Sequence, residues 1–259
     1  MSWASRRQSK YLLGLFAVCA VILFAIAYPR LTKAPTCTDG KQDGNETGVD
    51  CGGLCDRMCM SDVSDPLILW SRAFQISGST YSLVAYVQNQ NKDAAVAEAS
   101  YEFKVYDTNN TLIGRRDGTT FIPPNQQFAV FEPRFDAGQA TVKSVSFEFT
   151  SSPLIWVKKA PTIQTLPITI DHIVMGANPS SPSLSAQVNN NSIYDLPSFN
   201  VVTILYDSDH NAISASETYN AGLPSNQSAP LLFTWPEAFR ENVATKDILL
   251  QVNPFTTPF

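Results

Sequence analysis

Four of the five cysteines lie within residues 37–59, CTDGKQDGNETGVDCGGLCDRMC, as Cys37, Cys51, Cys55 and Cys59. Such a cluster can do three things: hold zinc through thiolates, close disulfides, or frame a loop whose oxygens hold a hard cation. Zinc-binding thiolates usually come as paired C-x2-C knuckles. The spacing here is C-x13-C-x3-C-x3-C, which is a poor match. Disulfides suit the count better, and four cysteines allow three pairings between which the sequence does not choose. Oxygen donors are dense in the first loop, as Asp39, Asp43, Asn45, Glu46 and Asp50, with Gly40, Gly44 and Gly48 among them to permit tight turns. Calcium takes six to eight such oxygens, so these five residues form a candidate calcium set. Their spacing is not that of an EF-hand, and acids with glycines also make a soluble, disulfide-closed turn without any ion. Both readings stay open at this stage.

Catalysis has little else to draw on. The chain holds two histidines, His172 in ITIDHIVMG and His210 in the turn-like DSDHN. G-x-S-x-G, a phosphate-cradling glycine loop and H-E-x-x-H are all absent. These observations predict a protein that is not an enzyme. A net charge of −5 and a pI near 5.0 argue against a nucleic-acid partner, which calls for a basic patch. Aromatic residues make up 11% of the chain. Trp70, Trp156 and Trp235 are read as packing residues rather than as a binding surface.

The N-terminus predicts a membrane anchor. Arg6, Arg7 and Lys10 precede an uncharged run from Tyr11 to Tyr28, YLLGLFAVCAVILFAIAY, and Pro29, Arg30 and Lys33 follow it. Eighteen helical residues span roughly 27 Å, close to the bilayer's hydrocarbon thickness of about 30 Å. A cleaved signal peptide is the alternative, because Ala25-Ile26-Ala27 has the small-x-small pattern of a cleavage site. Cysteines clustered just beyond an export signal fit an oxidising compartment and two disulfides. Cys19 lies inside the apolar run and reads as a plain membrane residue.

From residue 63 onward the chain repeats with a period of about 100 residues. SLVAYVQNQN at 82–91 recurs as SLSAQVNNNS at 183–192, FKVYDTNNTLIG at 103–114 as TILYDSDHNAIS at 203–214, and IPPNQ at 122–126 as LPSNQ at 223–227. Each copy alternates as half-buried strands do, with Leu83, Ala85 and Val87 on one face, Tyr101, Phe103 and Val105 on another, and Val145, Phe147 and Phe149 on a third. DTNN, RRDG, PPN, DSDHN and LPSN mark turns. Frequent short strands without a helical pattern predict antiparallel β-sandwiches.

Phe103-Lys104-Val105-Tyr106-Asp107 resembles the FxLYD motif of prokaryotic immunoglobulin-like domains, and Thr203-Ile204-Leu205-Tyr206-Asp207 resembles it without the leading aromatic. The resemblance implies two tandem immunoglobulin-like sandwiches in an exported, membrane-anchored protein. In each motif the tyrosine (Tyr106, Tyr206) is expected to pack across strands, and the aspartate (Asp107, Asp207) to close the following turn. The stretch DGxxDGNExGVDCGGLC likewise resembles a segment of exported proteins, with Asp43 where that pattern usually has asparagine.

The predicted plan is a cytoplasmic tail and transmembrane signal-anchor at 1–35, a cysteine-rich acidic loop segment at 36–62, and β-sandwich domains at 63–158 and 163–259. Such a chain would stand outside the cell on a single membrane span. Its work would be adhesion or protein–protein contact in the envelope with an unknown partner. The alternative is a structural subunit of a secretion or pilus-type machine.

Overall fold

A computed structural model of the protein describes residues 3–31, 36–160 and 162–256. The chain divides into two compact units, Met1–Cys55 and Asp56–Phe259.

The first unit opens with helix α1, Trp3–Leu31. Leucine and alanine favour helix, and no proline interrupts the run before Pro29. Every described side chain of α1 is exposed. Those described are Tyr11 to Ile26 and Tyr28, within the predicted span of Tyr11–Tyr28. Among the described residues no helix is long and apolar enough to cross a membrane. The side chains of Arg6, Arg7, Lys10, Ala27, Pro29 and Arg30, and all of Lys33, lie outside the described residues.

The second unit is built from β1 (Leu67–Ser77), β2 (Thr80–Asn89), β3 (Ala94–Asp107), β4 (Leu112–Ile122), β5 (Gln126–Asp136), β6 (Val142–Phe149) and β7 (Trp156–Lys158). A single helical turn, α2 (Thr162–Thr165), links these to β8 (Ile168–Met175), β9 (Ser183–Asn190), β10 (Phe199–Tyr206), β11 (Ala212–Asn220), β12 (Gln227–Thr234) and β13 (Thr245–Val252). The strands form antiparallel sheets ordered β1-β2-β5 and β4-β3-β6, then β8-β9-β12 and β11-β10-β13, with β7 paired to β3. The sequence repeat is therefore a repeat of connectivity. Ahead of β1, the chain joins the first copy at Asp56–Met58, where the Met58 N–H donates to the Trp156 carbonyl (2.9 Å) and the Lys158 N–H to that of Asp56 (2.6 Å).

Each copy has its own core between its two sheets. Leu83, Ala85, Val87, Tyr101, Phe103, Val105, Phe147 and Trp156 pack in the first. Leu184, Ala186, Val188, Val201, Leu205, Phe233 and Trp235 pack in the second. The strand alternation read from sequence describes these inward faces.

A third core joins the copies. Phe74, Val84, Tyr86 and Ala129 of the first pack on Val202, Ile204, Ala212 and Ala215 of the second, flanked by Trp70, Phe131, Tyr206 and Leu249. Sheet β1-β2-β5 thus lies face to face with sheet β11-β10-β13. Among the described residues, hydrogen bonds across this joint include Arg72 Nη1 to the Ala212 carbonyl (2.9 Å), Gln251 Nε2 to the Ala129 carbonyl (2.9 Å), and Arg240 Nη2 to Gln75 Oε1 (2.6 Å).

RRDG is not a turn. It lies inside β4, where Gly118 pairs with Tyr101 of β3. A Cβ at Gly118 would stand 2.3 Å from the Tyr101 hydroxyl, so the glycine makes room for the ring. The other turn signals hold, and the left-handed slots of PPN and LPSN are filled by Asn125 (φ 49°) and Asn226 (φ 56°), a residue type that tolerates them.

One buried asparagine recurs in both copies. Asn89, 1% exposed, donates from Nδ2 to the carbonyls of Ala94 (2.9 Å) and Pro123 (2.7 Å) and accepts the Asn91 N–H. Asn190, 0% exposed, donates to Tyr194 (2.8 Å) and Leu223 (3.0 Å) and accepts the Ser192 N–H (3.1 Å). Each side chain ties the end of its strand to two loops that would otherwise bury unpaired backbone groups. Asn89→Ala and Asn190→Ala should each destabilise the fold by about 1–3 kcal/mol per carbonyl left unpaired, read as a lower denaturation midpoint. A midpoint unchanged in both variants would refute this role.

Candidate functional site

The cysteine segment is a staple. Cys37 is bonded to Cys55 with a Cα–Cα distance of 5.7 Å, and Cys51 and Cys59 are disulfide-bonded as well. Cys19 alone is free. With all four sulfurs of the cluster oxidised, no thiolate remains for a metal.

Its acids serve the backbone. Asp50 sits at φ 52° and accepts N–H bonds from Asp39 (2.9 Å) and Gly40 (3.1 Å) on Oδ1, and from Gly40 (2.9 Å) on Oδ2. Glu46 Oε2 accepts the N–H groups of Asp43 and Asp50, each at 3.3 Å. Asp39 Oδ1 accepts the Lys41 N–H at 3.0 Å. The Asn45 carbonyl lies where a Cβ on Gly53 would stand, 1.6 Å away, so only glycine fits there. Asp43 Oδ1 is buried without a hydrogen-bond partner.

The five predicted calcium ligands do not converge. Among the described residues, the one group of three acidic, cysteine or histidine side chains within 4.8 Å is Cys37, Glu46 and Cys55. Two of its three atoms are disulfide sulfurs, which a hard cation does not favour. Glu46 Oε1 lies 3.3 Å from Cys55 Sγ, and an oxidised sulfur has no proton to donate, so this is contact rather than a hydrogen bond. Among the described residues no three of the acids Asp39, Asp43, Glu46 and Asp50 bring their carboxylates within 4.8 Å of one another.

Both motif aspartates close turns. Asp107 Oδ1 accepts the N–H groups of Asn109 and Thr111, both at 2.8 Å. Asp207 Oδ1 accepts those of Asp209 (2.9 Å) and Asn211 (2.8 Å), and its Oδ2 accepts Asn211 Nδ2 (3.0 Å). The amide bonds lower the Asp207 pKa. His210 (φ 61°) fills the left-handed slot that Asn110 (φ 59°) fills in the first copy, which accounts for it structurally. The tyrosines differ. Tyr206 packs into the joint and donates to Asp247 Oδ2 at 2.9 Å. Tyr106 stands on the outer face of its sheet, near Arg115.

Two clefts open where the copies meet, and sequence reasoning found neither. The first, about 500 Å³, lies among Arg72, Gln75, Ser214, Trp235 and Arg240. The second, about 370 Å³, is walled by Tyr101, Phe131, Asn200, Glu217, Tyr219 and Gln251. Burial pushes the Glu217 carboxyl up to about 7; the Asn200 amide, donating to Oε1 at 3.0 Å, pulls it down, and the charge of Glu132 adds to the rise. Burial and Glu132 also hold the Tyr101 phenol above its ordinary range, with the hydroxyl donating to Glu132 Oε1 at 2.6 Å. The available signal was a glutamate within SASETYN, a segment of β11.

No protein family matches the sequence, and no curated protein sequence matches it. Among solved structures the chain is similar to a red sea bream transglutaminase, at 11% identity and a TM-score of 0.26, over 74% of this chain and 30% of that one. It is also similar to a β-glucuronidase of glycoside hydrolase family 2, at 9% identity and 0.27, over 87% of this chain and 28% of that one. The chain spans under a third of either, and likenesses this slight carry no argument.

Two predictions follow from this geometry. Asp50→Ala should speed hydrogen exchange at the Gly40 amide, and added calcium should leave exchange in the native protein unchanged; slowing by calcium would restore the cation reading. The second concerns pH. A carboxyl whose pKa is raised on folding binds more protons folded than unfolded, so its contribution is present below the ordinary value of 4.5 and is lost as pH rises toward about 7. Stability should therefore fall across that interval, and Glu217→Gln should flatten the fall. The lowered carboxyls Asp136, Asp171 and Asp207 act in a more acidic window. An identical pH profile in the variant would contradict the assignment.

Proposed function

We propose that the protein is a membrane-anchored, non-enzymatic surface protein whose two immunoglobulin-like copies make protein–protein contacts in the cell envelope. The observation that carries this reading is the joint. Two repeats fused through a shared apolar core form a stiff body suited to presenting surfaces at a fixed spacing, and both clefts and outer faces belong to that one body. The described apolar side chains of α1 from Tyr11 to Ile26 are exposed, which supports burial in lipid. Oxidation of Cys37, Cys51, Cys55 and Cys59 supports an extracytoplasmic location. The FxLYD resemblance points the same way. A second reading, a spacer subunit of an envelope machine, draws on the same stiffness and differs in requiring a stable complex.

Fractionation of cells expressing the full chain tests this. The protein should stay with membranes through a carbonate wash, leave with detergent, and resist thiol alkylation at the four clustered cysteines until reduced. Release by carbonate, or labelling without reduction, would refute the topology. Co-purification of a stoichiometric complex would select the spacer reading.

A further inference from the structure

We propose that the cleft beside Glu217, between the two copies, binds an organic ammonium group: a primary amine carried on a short apolar stem. The cleft holds about 370 Å³, within the size range of small-ligand sites. Its walls come from both copies. Tyr101 and Phe131 stand on one side, and Asn200, Glu217, Tyr219 and Gln251 on the other. Lysine, arginine and histidine are all missing from the described lining, whose one carboxylate is Glu217; a second, Glu132, is bonded to the lining residue Tyr101 from outside it.

Those carboxylates, Glu217 of β11 and Glu132 of β5, act on one another electrostatically. Their hydrogen bonds come from neutral donors alone, Asn200 Nδ2 to Glu217 and the Tyr101 hydroxyl to Glu132. Neutral donors do not cancel charge, so a cation entering here relieves both the repulsion and the burial of Glu217. Aromatic rings select the kind of cation. Phe131 and Tyr219 line the cleft, Tyr219 being 67% exposed, and aromatic rings attract an ammonium and pack against an alkyl stem. A divalent metal is a poorer occupant, since among the described residues no group of three acidic, cysteine or histidine side chains forms around Glu217. The floor is preformed, because Gln251 is held by its bond to the Ala129 carbonyl across the joint.

The test uses the full chain in detergent at pH 8 with n-butylammonium as the probe. n-Butanol controls for the stem, tetramethylammonium for a head group without N–H donors, and calcium chloride for a metal. Saturation-transfer NMR should show n-butylammonium bound, with its apolar stem in contact. n-Butanol and calcium should give no competing signal. Glu217→Gln should weaken binding roughly tenfold or more, the loss of one charge-assisted hydrogen bond. Tyr219→Ala, at an exposed rim position, should weaken it several-fold without disturbing the fold. Native binding should also decline at pH 5.5, as Glu217 takes up its proton. Equal binding of tetramethylammonium would remove the primary-amine specificity and overturn the proposal in this form. Undiminished binding by both variants, displacement by calcium, or no binding at all would overturn it entirely.

Discussion

The structure depends on one apolar contact, the outward face of β2 against the outward face of β10. A sandwich strand normally buries one face, yet β2 and β10 bury both. Leu83, Ala85 and Val87 fill the first core while Val84 and Tyr86 fill the joint. Val201 and Leu205 fill the second core while Val202 and Ile204 fill the joint. Each such side chain contributes about 1.5–3 kcal/mol on leaving water. Four sheets consequently stack in the order β4-β3-β6, β1-β2-β5, β11-β10-β13, β8-β9-β12, with three cores between them.

Divergence between the copies shows why the stack stops at four layers. At matched positions of β3 and β10, Glu102 and Lys104 stand in the first copy where Val202 and Ile204 stand in the second. On the free outer face of the first copy, Glu102 pairs with Lys104 (3.0 Å) and Arg115 (2.6 Å). At matched positions of β2 and β9, the joint residues Val84 and Tyr86 are replaced by Ser185 and Gln187 on the other outer face. There Asn189 bonds Asp171 and Ser228 in a polar ladder. The inward residues of β2 and β9 are unchanged, Leu-Ala-Val in both copies. Polar terminal faces around an apolar middle are what a short repeat array needs to stay soluble and finite. Clefts with partly buried polar groups such as Glu217 lie at the margins of the joint.

Much of this was legible in the sequence. The strand alternation, the two-copy repeat and the turn-closing aspartates follow from local rules of side-chain spacing and turn hydrogen bonding. The joint was missed because each strand was read for one buried face, although VVTILY in β10 is apolar on both. Aligning the outward positions of the copies would have exposed it. RRDG misled because a glycine opposite a tyrosine across a ladder has the same local spelling as a turn. The acids of residues 39–50 carry a related ambiguity: carboxylates that hold turn amides and carboxylates that hold a cation share composition and differ only in where the oxygens point.

Calorimetric unfolding of the β unit within the full chain tests the central claim, that the joint makes the two copies one body. If it does, the copies melt in a single transition whose calorimetric and van't Hoff enthalpies agree. Placing a charge in the joint with Ile204→Asp should then split that transition into two. Two independent transitions in the native protein, insensitive to Ile204→Asp, would contradict the account.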